Sequence, residues 1–201
     1  MANFVLLYNN FADQGTLRGG SWLSALPLTN MQNFDVQRVA RSSNAQADST
    51  QFTLDLGLAR TINGVAFGPV NMSPGSTWEV GFYSDSSYAP AYLIHTTGVQ
   101  TVTGDVIDWS NINEWLEWED PRFWYGIISD LDNLPLYAYH VCDTPVLAQY
   151  LKFEITDAAN PDGYIEIGRL LVGQSFFPTY NYDENNELSV EPITDMVESL
   201  G

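Results

Sequence analysis

Apolar residues recur along this chain with a period of two. In Gln51-Phe52-Thr53-Leu54-Asp55-Leu56-Gly57, Phe52, Leu54 and Leu56 alternate with polar neighbours, which is the signature of a half-buried strand. Trp78-Glu79-Val80-Gly81-Phe82-Tyr83 repeats it, and Tyr150–Thr156 puts Leu151, Phe153 and Ile155 on one face. Further strands are expected at Phe4–Tyr8, Thr61–Phe67, Ala91–His95, Val99–Val102, Trp124–Ser129 and Tyr164–Val172, with a turn at Leu58–Arg60. Gly, Pro, Asn, Asp and Ser clusters separate these runs. Only Ser21–Ala25 and Ile112–Trp118 suit a helical turn, and no solenoid-type repeat is present. Many short strands with turn signals between them predict an all-β chain folded as an antiparallel β-sandwich.

Two stretches depart from the pattern. Residues Asp105–Asp132 hold four of the six Trp and eight acids against one base, Arg122. That is too long for a hairpin loop and reads as a surface excursion. Residues Pro178–Gly201 hold six acids and no base, which reads as an extended acidic arm. The expected organisation is a sandwich domain over 1–177 and a C-terminal extension over 178–201.

Charge sharpens this picture. The 201 residues include 25 acids and 7 bases, a net charge of -18, yet 45% of the chain is hydrophobic and 13% aromatic. Such apolar content excludes disorder. The scarcity of Lys and Arg excludes nucleic acid as a partner, because phosphate contacts need cationic clusters. A single cysteine, Cys142, excludes an intrachain disulfide. The start, MANFVLLYNN, lacks the basic region and long apolar run of a signal peptide and reads as a first strand. No apolar run approaches the roughly 18–20 residues of a membrane span, so no membrane insertion is expected.

Little in the chain suits catalysis. His140 and Cys142 fall on one strand face, but no nucleophile-elbow turn surrounds the cysteine, and a Cys beside a His is usually packing. Zinc-ligand spacing is absent. Arg18-Gly19-Gly20-Ser21 is a turn and not a phosphate loop. Glu117 and Glu119, on one strand face, would stand about 7 Å apart, within the carboxyl separation of inverting glycosidases. Acids on one strand normally face solvent, however, and no catalytic residue is assigned. Trp109, Trp115, Trp118 and Trp124 beside Glu117 and Glu119 suit glycan binding, with indoles against sugar rings and carboxylates accepting hydroxyl protons. The same six residues equally suit a protein–protein interface, or simple packing of the excursion onto the sandwich.

Several motifs carry a family resemblance. Leu26-Pro27-Leu28-Thr29-Asn30-Met31, Arg38-Val39-Ala40-Arg41-Ser42, the Asp55-Leu56-Gly57 strand end and Ile62-Asn63-Gly64-Val65-Ala66 resemble the opening half of discoidin-like, galactose-binding-type jelly rolls. Tyr150–Ile155 and Asp162-Gly163-Tyr164-Ile165-Glu166-Ile167-Gly168-Arg169-Leu170 resemble their closing strands. The closing motif looks most like jelly rolls encoded in tailed-bacteriophage structural modules. The terminal Cys pair and basic patches of the eukaryotic modules are absent, which removes phosphatidylserine as a ligand.

The resemblance implies a non-enzymatic virion protein of a phage tail tip or baseplate. It would be assembled in the host cytoplasm in many copies through contacts with other tail proteins. The alternative it implies is a carbohydrate-binding module for host-surface glycan. No cofactor is expected beyond a structural calcium ion, for which Asn30, Asn33 and Asp35 offer hard oxygen ligands.

Overall fold

A computed structural model describes residues 6–73, 75–102 and 136–176. Among the described residues are nine strands, β1 (Leu6–Tyr8), β2 (Thr16–Arg18), β3 (Ala40–Arg41), β4 (Phe52–Val70), β5 (Thr77–Tyr83), β6 (Leu93–Thr96), β7 (Gln100–Thr101), β8 (Leu136–Thr156) and β9 (Glu166–Phe176). All their pairings are antiparallel. Among the described residues helix is confined to one α turn, α1 (Ala47–Thr50), and 3-10 turns at Phe11–Gln14, Leu28–Gln32 and Pro90–Tyr92. The all-β antiparallel sandwich expected from the alternation is what the chain forms.

β4 and β8 are long enough to serve two sheets. The first half of β4 pairs through Phe52–Asp55 with the end of β8, which also pairs with β5; β2 extends the other side, and β6 and β7 lie on β5. The second half of β4 runs beside the start of β8 and beside β9, with β1 and β3 on β9. Between the halves the register shifts from Asp55 to Arg60. Gly57 takes φ +75° there, a conformation a Cβ would resist, and Asp55 Oδ1 accepts from the Gly57 N–H at 2.8 Å. This is a β-bulge inside one strand, not the separate turn expected at Leu58–Arg60.

The two sheets face each other through aromatic rings. Phe52 and Phe153 stack at 4.5 Å in the first sheet. Phe67 of the second sheet meets Phe153 edge-on at 6.3 Å and Trp78 at 5.1 Å. Around them Leu54, Ile62, Val65, Leu151, Ile155, Ile167 and Leu170 are fully buried. Asn10 covers the open edge of β9, donating to the Leu170 carbonyl at 3.0 Å and accepting from the Val172 N–H at 2.8 Å.

Of Ser21–Ala25, expected as a helical turn, Ser21–Leu23 is instead an extended crossing with a bridge from Trp22 to Ser42, and Ser24 and Ala25 form a single turn closed by the Leu26 N–H on the Leu23 carbonyl at 3.0 Å. The N–H groups of the crossing are taken by distant carbonyls: Ser21 donates to Ser49 and Leu23 to Arg41, each at 2.9 Å. Those bonds compete with the local ones a helix needs. The other helical expectation, Ile112–Trp118, and the strand at Trp124–Ser129 lie outside the described residues. So does the 178–201 extension.

Burial sets a pH window for stability. It holds His140 below the ordinary 6.5, helped by His95 nearby, and pushes the Cys142 thiol above the ordinary 9.0. Below pH 6.5 the unfolded chain takes up a proton that native His140 resists, so stability falls with falling pH. Above pH 9.0 the unfolded thiol ionises while the native one stays protonated, so stability falls with rising pH. Denaturant titrations should show a plateau between these limits. His140→Gln should flatten its acid shoulder below pH 6.5; an unchanged shoulder would remove His140 as its source.

Candidate functional site

The loops joining the sheets at the start of β5 and β9 are locked by buried polar groups. Asp157 and Asn160, both 6% exposed, sit at the centre. Asp157 Oδ2 accepts from the Ser73 N–H and from Asn160 Nδ2, both at 2.8 Å, and Asn160 Nδ2 also donates to the Asn71 carbonyl at 2.8 Å. Asn71 donates to Asp162 Oδ2 at 2.9 Å and accepts from the Glu166 N–H at 2.7 Å. These carboxylate, amide and N–H groups are paired, as burial demands, while the buried Ser73 and Ser76 hydroxyls beside them have no partner among the described residues. The Ser73–Ser76 turn, so held, grips the end of β7: Gly75 N–H donates to the Val102 carbonyl and Val102 N–H to the Ser76 carbonyl, both at 2.8 Å.

Two hollows flank β7, with Trp78 contributing to the wall of each. One, of about 200 Å³, is lined by Trp78, Gln100, Thr101, Val102, Tyr137, Ala138 and Tyr139. Tyr137 and Tyr139 project from the start of β8 and are 59% and 67% exposed. Rings standing this far out present a flat apolar face and a phenolic O–H to solvent. Gln100 Nε2 donates to the Thr97 carbonyl at 2.6 Å; its amide has a second N–H and an acceptor oxygen. The other hollow, of about 370 Å³, is lined by Asp48, Gln51, Thr77, Glu79, Val99 and Glu154, among others. Thr96 Oγ1 donates to Glu79 at 2.5 Å and Lys152 Nζ lies 2.8 Å from Glu154.

The residues expected from sequence fall in two groups. Trp109, Trp115, Glu117, Trp118, Glu119 and Trp124 lie outside the described residues, between Val102 and Leu136. Asn30, Asn33 and Asp35 are described, and each is already engaged. Asn30 Nδ2 donates to the Val39 carbonyl at 2.8 Å, Asn33 Oδ1 accepts from the Asp35 N–H at 2.9 Å, and Asp35 lies 3.7 Å from Arg38. Among the described residues no three His, Cys, Asp or Glu side chains converge on a point that would hold a metal.

Tyr137, Tyr139, Gln100 and Thr101 were missed from sequence. The Tyr137-Ala138-Tyr139-His140 alternation carries their signal, but it inverts the usual order, with aromatic rings outward and Ala138 buried. Nucleophilic chemistry gains no support: Cys142 is buried and its thiol is held in the protonated form.

The architecture is an antiparallel β-sandwich of the jelly-roll kind. No protein-family model and no curated protein matches the chain. Solved structures match its fold. One is the family 32 carbohydrate-binding module from C. perfringens NanJ in complex with galactose, at 15% identity and a TM-score of 0.53, covering 82% of this chain and 98% of that one. A second is a mutant of the lectin binding domain of Lectinolysin complexed with Lewis b, at 13% identity and 0.50, covering 83% and 96%. A third is truncated AlyQ, with CBM32 and alginate lyase domains, at 15% and 0.52; there the match spans 86% of this chain but 34% of that one. The likeness is one of fold.

Proposed function

We propose that this protein is a non-catalytic carbohydrate-binding module whose ligand seats in the smaller hollow beside β7. The observation that carries the reading is the pair Tyr137 and Tyr139, exposed on β8 next to the amide of Gln100 and the hydroxyl of Thr101. A pyranose has an apolar C–H face and a hydroxyl rim. The tyrosine rings suit the first, and the amide, hydroxyl and phenol groups suit the second. Structures of the same fold in complex with galactose and with Lewis b support the reading.

A glycan array followed by calorimetric titration of the full chain tests it. Binding should appear at millimolar sugar or below, and Tyr139→Ala should weaken it about tenfold, the loss of one good ring contact. Absence of any glycan binding at millimolar sugar would overturn the reading. The tail-tip or baseplate role, with tail proteins as partners, rests on the Asp162–Leu170 motif alone. It predicts self-association of the purified chain or co-purification with tail proteins.

A further inference from the structure

We infer that the outward face of the first sheet is a second carbohydrate site, which takes an extended chain of neutral sugars where the hollow beside β7 takes a single ring. The inference rests on the reading that the protein binds carbohydrate. It starts from the alternation along β5 and β8. Trp78, Val80 and Phe82 and their neighbours Leu151, Phe153 and Ile155 are buried between the sheets, so the residues between them point the other way. On that outward face Thr77 stands opposite Thr156, Glu79 opposite Glu154 and Gly81 opposite Lys152, and Tyr83 opposite Tyr150 ends the row. The row spans all seven residues of β5. At about 3.3 Å per residue that is roughly 20 Å, long enough for several sugar rings end to end.

Both ends of the row are shaped. At one end Thr77, Glu79, Glu154 and Thr156 form a wall of the larger hollow. At the other stands a group of rings. Tyr88, in the loop after β5, meets Tyr83 edge-on at 5.5 Å and Tyr150 at 6.2 Å, and all three side chains are half-buried. Tyr88 has φ +54°, a left-handed conformation that so large a residue rarely adopts and that persists only where the surroundings enforce it. Its N–H donates to the Asp85 carbonyl at 3.3 Å, and Asp85 Oδ1 accepts from the Ser87 N–H at 2.9 Å. Gly81 leaves room for the end of the Tyr83 side chain, since a Cβ there would lie 2.7 Å from its Cε2 and 3.0 Å from its phenol oxygen. Strain of the Tyr88 kind gathers at ligand sites, and here it fixes a ring beside the row.

The chemistry of the row selects its occupant. Between the groove and the rings stand threonine hydroxyls, carboxylates and the Lys152 ammonium, which lies 2.8 Å from Glu154. Donors, acceptors and groups that do both thus follow one another, as the hydroxyls of a sugar chain require. The tyrosines suit the apolar C–H face of a ring. A stable protein interface has a charge-poor, apolar centre, whereas Lys152 and Glu154 stand in the middle of this row. Two acids and one base are also not the one-sign cluster that a polyanion or polycation would need.

The test is a length series. Cello-, xylo-, manno- and galacto-oligosaccharides of one to six rings are titrated into the full chain. In the series that binds, affinity should rise on the order of tenfold from the shortest to the longest member as more rings are contacted. Tyr88→Asn keeps a residue that tolerates φ above zero but removes the ring, and Gly81→Ala displaces the Tyr83 ring. Each should abolish the gain with length and melt close to the unaltered protein, while Tyr139→Ala should leave the gain in place. A gain that survives both Tyr88→Asn and Gly81→Ala would overturn the inference, because the rings would then only be packing. Monosaccharide binding lost in Tyr139→Ala, with no gain on lengthening in any series, would overturn the second site and leave the carbohydrate reading standing. No binding by any member would overturn both.

Discussion

Phe153→Ala should cost the protein about 3–5 kcal/mol, the range for truncating a buried aromatic. Phe153 is 1% exposed and central to a chain of rings. It stacks on Phe52 at 4.5 Å, and Phe52 meets Trp22 edge-on at 5.9 Å. On its other side it meets Phe67 at 6.3 Å, and Phe67 meets Trp78 at 5.1 Å. Removing the central ring leaves a cavity where the sheets face each other, and neighbours fixed in two different sheets cannot collapse into it. Against a typical total of about 5–15 kcal/mol, that is a large share of the stability. Urea denaturation should register it as a lower midpoint, with a melting temperature on the order of 10 °C lower. Leu147→Ala, at a side chain 61% exposed, is the control and should change stability by about 0.5 kcal/mol or less. A Phe153→Ala loss below roughly 1 kcal/mol would show that the halves of β4 do not pack on each other as described.

The same ring cluster explains what was readable in the chain. Phe52, Leu54 and Leu56 and their partners Leu151 and Phe153 alternate with polar residues because those strands have one face in the core and one in water. Pattern alone locates such strands. It could not locate β2 and β3, which are three and two residues long and exist only because β4 and β9 offer edges to pair with. Nor could it reveal that Gln51–Gly57 and Thr61–Phe67 are one strand, since the bulge at Gly57 looks like a turn when read locally. β8 hid its first half for a different reason: its outward face is aromatic and its inward face small, so hydrophobicity points the wrong way. The site suffered most from this. The indoles named from sequence sit in the segment between Val102 and Leu136, whereas the rings now assigned to the hollow, Tyr137 and Tyr139, follow directly after it.

Asp157→Ala should be the second most damaging change, and it should remove ligand binding along with stability. The carboxylate is 6% exposed and accepts from the Ser73 N–H and from Asn160 Nδ2. Alanine strands both donors in a buried site, at about 1–3 kcal/mol each. A loss on the order of 2–4 kcal/mol follows, moderated by whatever water can enter. The functional effect travels a short path. Ser73 anchors the turn whose Gly75 and Ser76 backbone groups bond Val102, and Val102 lines the hollow beside Tyr137. Asp157 is thus a positioning residue for the hollow, although it does not line it. Asp157→Asn keeps an acceptor oxygen of the same shape, so it should retain most of the stability and most of the affinity. The pair separates two accounts of the residue. If the two variants lose stability and sugar affinity alike, negative charge and not hydrogen-bond geometry holds the loops. If Asp157→Ala melts normally and binds normally, the lock between Asp157, Ser73 and Asn160 does not hold the hollow in shape.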